Sequence, residues 1–274
     1  MNFIQSTITR TLGIILGATI ATAAQAGPLA DRLEAGEPIR LGFAAAPPWA
    51  YAGEDGSAKG FVNDITIDVL KRMGHTNVEP VLTDWAGLIP SIIASRVDIV
   101  TGGMYILAAR CENMDFSEPI GVFGDAFVVP AGNPKGIGTY QDIIDQNLVM
   151  VSPSGYNTIA DAKAAGVPEA NIMEVAAVRA GRADAGATNA LEAQRVQDMS
   201  DEVEMTDPLA FPAESRTPVG VGFHPDDDAF REEFNAELAK YLGSDEMMEK
   251  VAAENYTAVF LPDGQTTAEA CKAD

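Results

Sequence analysis

Histidine, cysteine and tryptophan are each present only twice in 274 residues. A structural zinc site takes four ligands from that small pool, and His75 and His224 have no metal-like spacing, so no metal is expected. Both histidines sit in turn settings, His75 after Gly74 and His224 before Pro225. Basic side chains are scarce too: 18 Lys and Arg stand against 40 Asp and Glu, a formal net charge of −22. Such a surface repels phosphate backbones and anionic lipid, which argues against nucleic acid as a partner. The same charge would also suit a salty habitat, where acidic surfaces keep proteins in solution. There is no phosphate-binding glycine loop and no Ser-His-Asp order, so the chain offers no catalytic set and implies no cofactor. Beyond residue 26, charges interrupt every apolar run before it reaches the roughly 20 residues that span a bilayer.

The first 26 residues are different in kind. Arg10 is their only charged side chain, Leu12–Ala21 is an apolar core, and Ala24-Gln25-Ala26 is a small-x-small exit. This layout reads as a secretory signal peptide over 1–26, cleaved after Ala26. A membrane anchor is the alternative, for which the apolar run is short and rich in Gly and Thr. Export places Cys111 and Cys271 in an oxidising compartment, where a pair reads as a disulfide. That bond would tie the C-terminus to the body of the protein.

The rest of the chain alternates strand and helix signals. Ile39–Ala44, Val78–Leu82 and Ile99–Thr101 read as strands. Helical patterns at Phe61–Met73 and Trp85–Ala94 lie between them. This β-α-β-α-β order predicts a parallel sheet covered by helices. A second set follows, with strands at Leu148–Val151, Asn171–Val175 and Asp184–Ala187 and helices at Thr158–Ala165 and Ala190–Asp198. The expected fold is α/β with two lobes, each a mainly parallel sheet. Residues 27–126 and 222–274 form a discontinuous first lobe, and 127–221 an inserted second one. Extended crossings at Ala126–Pro130 and Val219–Phe223 are the hinge candidates. Ligands of open α/β sheets sit outside the carboxyl ends of the strands. The cleft is therefore expected at Ala44–Tyr51, Gly102–Arg110, Pro153–Thr158 and Thr188–Ala190.

Several segments in this order carry a family resemblance. They are Phe43–Tyr51 with its Pro-Pro-aromatic turn, Gly60–Ile65, Ala94–Ile99, Gly102–Arg110, Asp115–Pro119 and Gly181–Ala185. Together they resemble the periplasmic solute-binding proteins of polar amino-acid ABC importers (family 3). A narrower similarity, to the ectoine and hydroxyectoine-binding branch, rests on Leu29–Pro38, Arg110-Cys111, Gly166-Val167-Pro168, Ala236–Lys240 and the Thr266-to-Cys271 tail. Ala46 departs from that branch, which carries an acidic residue there, and Leu107 stands where amino-acid binders often carry Thr. The segment between Val175 and Gly181 is shorter than usual. The resemblance implies a periplasmic monomer that delivers a small zwitterion to an inner-membrane ABC permease. An amino-acid receptor of the same fold is the alternative. Some proteins of this fold are dehydratases of cyclohexadienyl acids, a more remote reading.

The resemblance also implies a site. Arg110 matches the arginine that grips a ligand carboxylate, a task suited to a planar, permanently charged fork. Pairing with Glu112 or Asp115 is the alternative for it. Asn189 matches the position of a carboxylate that normally meets the ligand ammonium. Its neutrality points to a delocalised or alkylated cation held by aromatic faces. Trp49 and Trp85 fall on the expected cleft, with Tyr51, Tyr105 beside Gly103, and Tyr156 beside Gly155; core packing is the alternative for both tryptophans. Gly155 and Asn157 open a helix whose free N–H groups would face a carboxylate. Asn157 or Thr158 would equally serve as a plain helix cap.

Overall fold

The computed structural model describes residues 27–175, 183–207 and 216–272. The expected signal peptide, the Gly181-Arg182 half of one corner motif and the shortened stretch before it lie outside the described residues. The chain enters through α1 (Pro28–Glu34) and β1 (Ile39–Phe43), and a ribbon of β2 (Tyr51–Ala52) and β3 (Ala58–Lys59) follows. In α2 (Phe61–Arg72) the spacing of Phe61, Val62, Ile65, Val69 and Leu70 puts all five on one buried face. Lys71 and Arg72 sit at its negative end. After β4 (Val78–Leu82), Asp84 caps a short 3-10 turn that starts at Trp85 and runs into α3 (Leu88–Ile93). Next come β5 (Ile99–Tyr105), buried at every residue, then α4 (Ala108–Cys111), β6 (Asp115–Phe116) and β7 (Gly121–Phe123).

The second half holds β8 (Asp125–Pro130), α5 (Tyr140–Asp145), β9 (Met150–Pro153), α6 (Asn157–Ala165), β10 (Ile172–Val175), β11 (Ala185–Asn189), α7 (Ala190–Asp198) and β12 (Val203–Met205). The chain returns through β13 (Thr217–Phe223) and ends with α8 (Asp228–Tyr241), α9 (Asp245–Val251) and α10 (Thr267–Ala270). The first sheet has the order β4-β1-β5-β13-β6, with β7 also on β13; the second has the order β10-β9-β11-β8-β12. Each contains three parallel strands extended by antiparallel ones. No helix among the described residues is long and apolar enough to cross a membrane.

The crossings lie elsewhere than the sequence suggested. Ala126–Pro130 belongs to β8, which is paired on both sides inside the second sheet. The first passage is Gly124, between Phe123 of one sheet and Asp125 of the other. The Val219–Phe223 segment, expected as a hinge with a lobe boundary at 221/222, lies in the first sheet: Val219 pairs with Tyr105 and Phe223 with Ile99. The second sheet's β12 ends at Met205, and the chain is already in the first sheet from Thr217. Glycines explain the misreading, because Gly220 and Gly222 look like loop residues. Both are packing positions, since a Cβ on Gly222 would lie 2.8 Å from Met114 Cε and one on Gly220 3.1 Å from Ile106 Cδ1.

Both sheets use the same corner. Asp98 N donates to Arg40 O, and the Asp98 carboxylate accepts from Arg40 N at 2.8 Å. Asp184 N donates to Val149 O, and the Asp184 carboxylate accepts from Val149 N at 2.8 Å. Each aspartate thus locks the entry of one parallel strand to that of its neighbour. At the far end, Cys111 and Cys271 are joined with Cα atoms 5.7 Å apart. Thr267 Oγ1 donates to Ser117 O at 2.6 Å and holds α10 alongside.

Candidate functional site

The carboxyl ends of β1, β5, β9 and β11 meet between the sheets. Arg110 is carried there by α4, directly after β5, and is 9 % exposed. One guanidinium nitrogen donates to Tyr105 O at 3.0 Å and another reaches across to Gly155 O at 3.2 Å. The guanidinium carbon lies 5.9 Å from the centre of the Trp85 ring. No carboxylate among the described residues is in salt-bridge contact with Arg110; Asp115, one of its two alternative surface partners, is near Arg231 instead. Burial pulls the Arg110 pKa down to about 10, while the potential from Tyr105, Asp161 and Asp125 opposes it, so the group stays charged at neutral pH.

The two tryptophans have different roles. Trp85 is partly exposed, donates its indole N–H to Gly155 O at 3.2 Å and packs on Tyr156 with ring centres 5.0 Å apart. Trp49 is 2 % exposed, with its ring in the first core, 4.4 Å from Phe123 and 4.9 Å from Phe61. Its N–H donates to Asn189 Oδ1 at 3.0 Å, across the seam. The expected open aromatic face is therefore corrected for Trp49, which presents an edge and a bonded N–H. Gly103 makes this packing possible: at φ +73°, a Cβ there would lie 2.3 Å from Trp49 Cε3. Tyr51 turns away from the cleft, and its hydroxyl donates to Glu254 at 2.8 Å.

From the second sheet, Gly155 presents its carbonyl to the seam, where the sequence reading placed N–H donors. That oxygen accepts from both Arg110 and Trp85. Asn157 is the first residue of α6 and does not cap it with its side chain. Its Nδ2 donates to Asp125 at 2.7 Å and Asp161 at 2.9 Å. Thr158 is buried against Ser152, 2.6 Å between hydroxyls. Asn189 caps α7, where its Oδ1 accepts from Glu192 N at 2.9 Å.

Two carboxylates at the seam went unseen in the sequence, and the expectation of a site without them is corrected. Asp125, at the passage between sheets, is 5 % exposed and accepts from Tyr105 Oη at 3.2 Å. Burial pushes its pKa up to about 7; the hydrogen bonds from Asn157 and Tyr105 and the Arg110 charge pull down, and Asp161 adds to the rise. Glu192, three residues into α7, accepts from Tyr156 Oη at 2.9 Å and from Thr188 Oγ1. Burial raises its pKa above the ordinary range, against hydrogen bonds from Thr188, Tyr156 and Asn189. In sequence, Asn189-Ala190-Leu191-Glu192 reads as an ordinary helix start, with the acid in the first turn.

An inner pocket of about 20 Å³, room for a single water, is bounded by Trp49, Trp85, Tyr105, Arg110, Asn189 and Glu192. Past Trp85 and Tyr156 lies an outer chamber of about 750 Å³. With room for little more than a water, the inner pocket does not hold a carboxylate against Arg110 unless its walls part. No cluster of three or more His, Cys, Asp or Glu among the described residues is arranged to hold a metal ion.

The profile of the bacterial extracellular solute-binding proteins, family 3, matches residues 39–253. The probable amino-acid ABC transporter periplasmic-binding protein y4tE of Sinorhizobium fredii (strain NBRC 101917 / NGR234) is 29 % identical over 282 residues, covering 97 % of this chain and 92 % of that protein. The crystal structure of EhuB in complex with hydroxyectoine matches with a TM-score of 0.78 and 26 % identity, over 89 % of this chain and 98 % of that one. The ancestral amino acid-binding protein AncCDT-1, a precursor of cyclohexadienyl dehydratase, matches with a TM-score of 0.69 at 25 % identity, over 81 % of this chain and 97 % of that one.

Proposed function

Since this chain belongs to family 3 of the bacterial extracellular solute-binding proteins, we propose that it captures a small carboxylate zwitterion of the ectoine type between two closing lobes. It then hands the ligand to the permease of an amino-acid ABC importer. One observation carries the reading. Arg110 is buried at the seam of the two sheets and, among the described residues, donates to carbonyl oxygens and has no carboxylate in salt-bridge contact. A buried charge without a counter-ion is costly, and a ligand carboxylate gripped by two nitrogens would relieve that cost. Gly124 would serve as one hinge. Trp85 would supply an aromatic face, while Gly103, Tyr105, Gly155, Asn157 and Asn189 would shape the pocket, with Trp49 contributing its edge.

The similarity to a hydroxyectoine-bound structure supports the ligand class. The y4tE relative supports the importer and a periplasmic location, to which the first 26 residues would direct export. We read the chain as a monomeric binder rather than an enzyme; incubation with a cyclohexadienyl acid should leave that acid unchanged by NMR. The direct test is calorimetry with ectoine, hydroxyectoine, proline, glycine betaine and common amino acids. At least one zwitterion should bind, and Arg110→Ala should weaken it about 100-fold or more. Binding only of primary amino acids would select the amino-acid receptor instead. Unchanged affinity in Arg110→Ala would remove the basis of the reading.

A further inference from the structure

The inner pocket has two charged walls. Among the described residues that line it, Arg110 and Glu192 are the only charged ones. They come from different sheets: Arg110 follows β5, and Glu192 follows β11 in α7. Glu192 is held in place by two hydroxyls of its own lobe, Tyr156 Oη at 2.9 Å and Thr188 Oγ1. It makes no salt bridge with any described residue, and Arg195, one turn further along α7, acts on it only through the field. A carboxylate offers about four lone-pair directions, so the bonds from Thr188, Tyr156 and Asn189 leave room for one more donor. Ala46, which also lines the pocket, offers only a methyl group. Trp85 and Tyr156, packed on each other, line both the inner pocket and the outer chamber.

We infer that Glu192 is the specificity residue for the cationic end of the ligand, and that it selects zwitterions whose cation carries N–H donors over those with a quaternary ammonium. The inference rests on Arg110 as carboxylate anchor. With that anchor on one lobe and Glu192 on the other, a zwitterion bridges the lobes and its two charges favour closure. A cyclic amidinium or a secondary ammonium donates an N–H to the carboxylate while its ring lies against Trp85. A trimethylammonium offers methyl groups, cannot donate, and holds the carboxylate at a greater distance. Aromatic faces alone would not make that distinction, because cation–π attraction needs no N–H.

The test uses the purified chain and three probes: ectoine, proline and glycine betaine. Ectoine and proline should bind the wild type at least tenfold more tightly than glycine betaine. Glu192→Gln keeps the shape and removes the charge. It should weaken ectoine and proline about 10- to 100-fold and glycine betaine far less, so that the preference collapses. Glu192→Asp should restore part of the preference, a result that a merely structural role would not give. Equal loss for all three probes, or a preference that survives in Glu192→Gln, would overturn the inference. If Arg110→Ala abolishes binding while Glu192→Gln changes nothing, the inference fails and the anchor stands. If Arg110→Ala binds normally, the reading of the site itself fails. A wild type that binds none of the three counts against both.

Discussion

The two lobes are built around the same corner and stabilise it differently. In the first, the Asp98 side chain is 2 % exposed and is shared by Arg32 and Arg40, the latter at 2.6 Å. In the second, the Asp184 side chain is 28 % exposed and meets a single lysine, Lys135. The cores differ in the same direction. Phe43, Phe61, Phe123, Phe223, Phe234 and Tyr256 fill the first, whereas among the described residues Phe127 is the one fully buried aromatic in the second, among Ile, Leu, Val, Ala and Met. The disulfide pins the tail to the first lobe next to Arg110. The first lobe is therefore the more heavily cross-linked of the two, and it carries Arg110. The second is a lighter jaw that carries the polar network of Asn157, Asn189 and Glu192. In the proposed reading, a receptor that opens and closes would gain from this division, because Arg110 would stay fixed while the second lobe moved.

Truncating the two corner aspartates tests this comparison most severely. Asp98→Ala takes the shared carboxylate from two arginines, leaving Arg32 with Glu37 and Arg40 with Ser95 O, and strands a strand N–H; it should cost about 3–4 kcal/mol in urea unfolding. Asp184→Ala loses a more solvated pair and one N–H bond, and should cost about 1 kcal/mol. Equal costs would mean that the two corners carry equal weight, contrary to the asymmetry described.

A second pair of variants applies one methyl group to each wall of the cleft. Gly103→Ala places Cβ 2.3 Å from the Trp49 ring at φ +73° and should destabilise the fold by about 2–3 kcal/mol. Gly155→Ala has similar strain, at φ +82°, but its Cβ lies 3.1 Å from Trp85 Cδ1 on a partly exposed ring that is free to shift. About 1 kcal/mol is expected there. Melting temperatures decide between them: a Gly155→Ala variant as unstable as Gly103→Ala would show that the Trp85 side of the seam is as rigid as the Trp49 side.

Much of this was legible in the chain. The alternation of strand and helix signals specified the parallel strands, because apolar runs bounded by Gly and Asp have few other uses. Arg110 could be placed because its segment resembles a known one and follows Gly102-Gly103 at the end of a buried strand. The hinges could not, because glycine marks a turn and a close approach alike, and only the neighbours Ile106 and Met114 distinguish them. Glu192 looked like any first-turn acid, and Asp125 like a polar residue before an apolar run. Their meaning depends on Tyr156 and Tyr105, which are distant in sequence. The orientation of Trp49 was illegible for the same reason, since a cleft aromatic presents an edge or a face according to what packs behind it.

Asp125 is the point at which the two regions join, and its titration gives the smallest effect. Tyr105 approaches it from the first lobe and Asn157 from the second, with Arg110 lowering and Asp161 raising its pKa. Its value in the folded protein, about 7, lies above the ordinary 3.8. Between about pH 4 and 7 the unfolded chain therefore releases a proton that the folded chain retains. The contribution of this group to stability falls as pH rises through that window and is flat above it. Asp125→Asn has no proton to release and should lack the slope. Relative to the wild type it should gain about 1–2 kcal/mol at pH 8, after allowing for an imperfect hydrogen bond to Asn157. At pH 5 most of that gain should be gone. Urea unfolding at the two pH values measures the difference directly. A gap that does not change with pH would mean that the carboxylate at the junction is solvated enough to titrate normally, and that the two lobes do not enclose it as described.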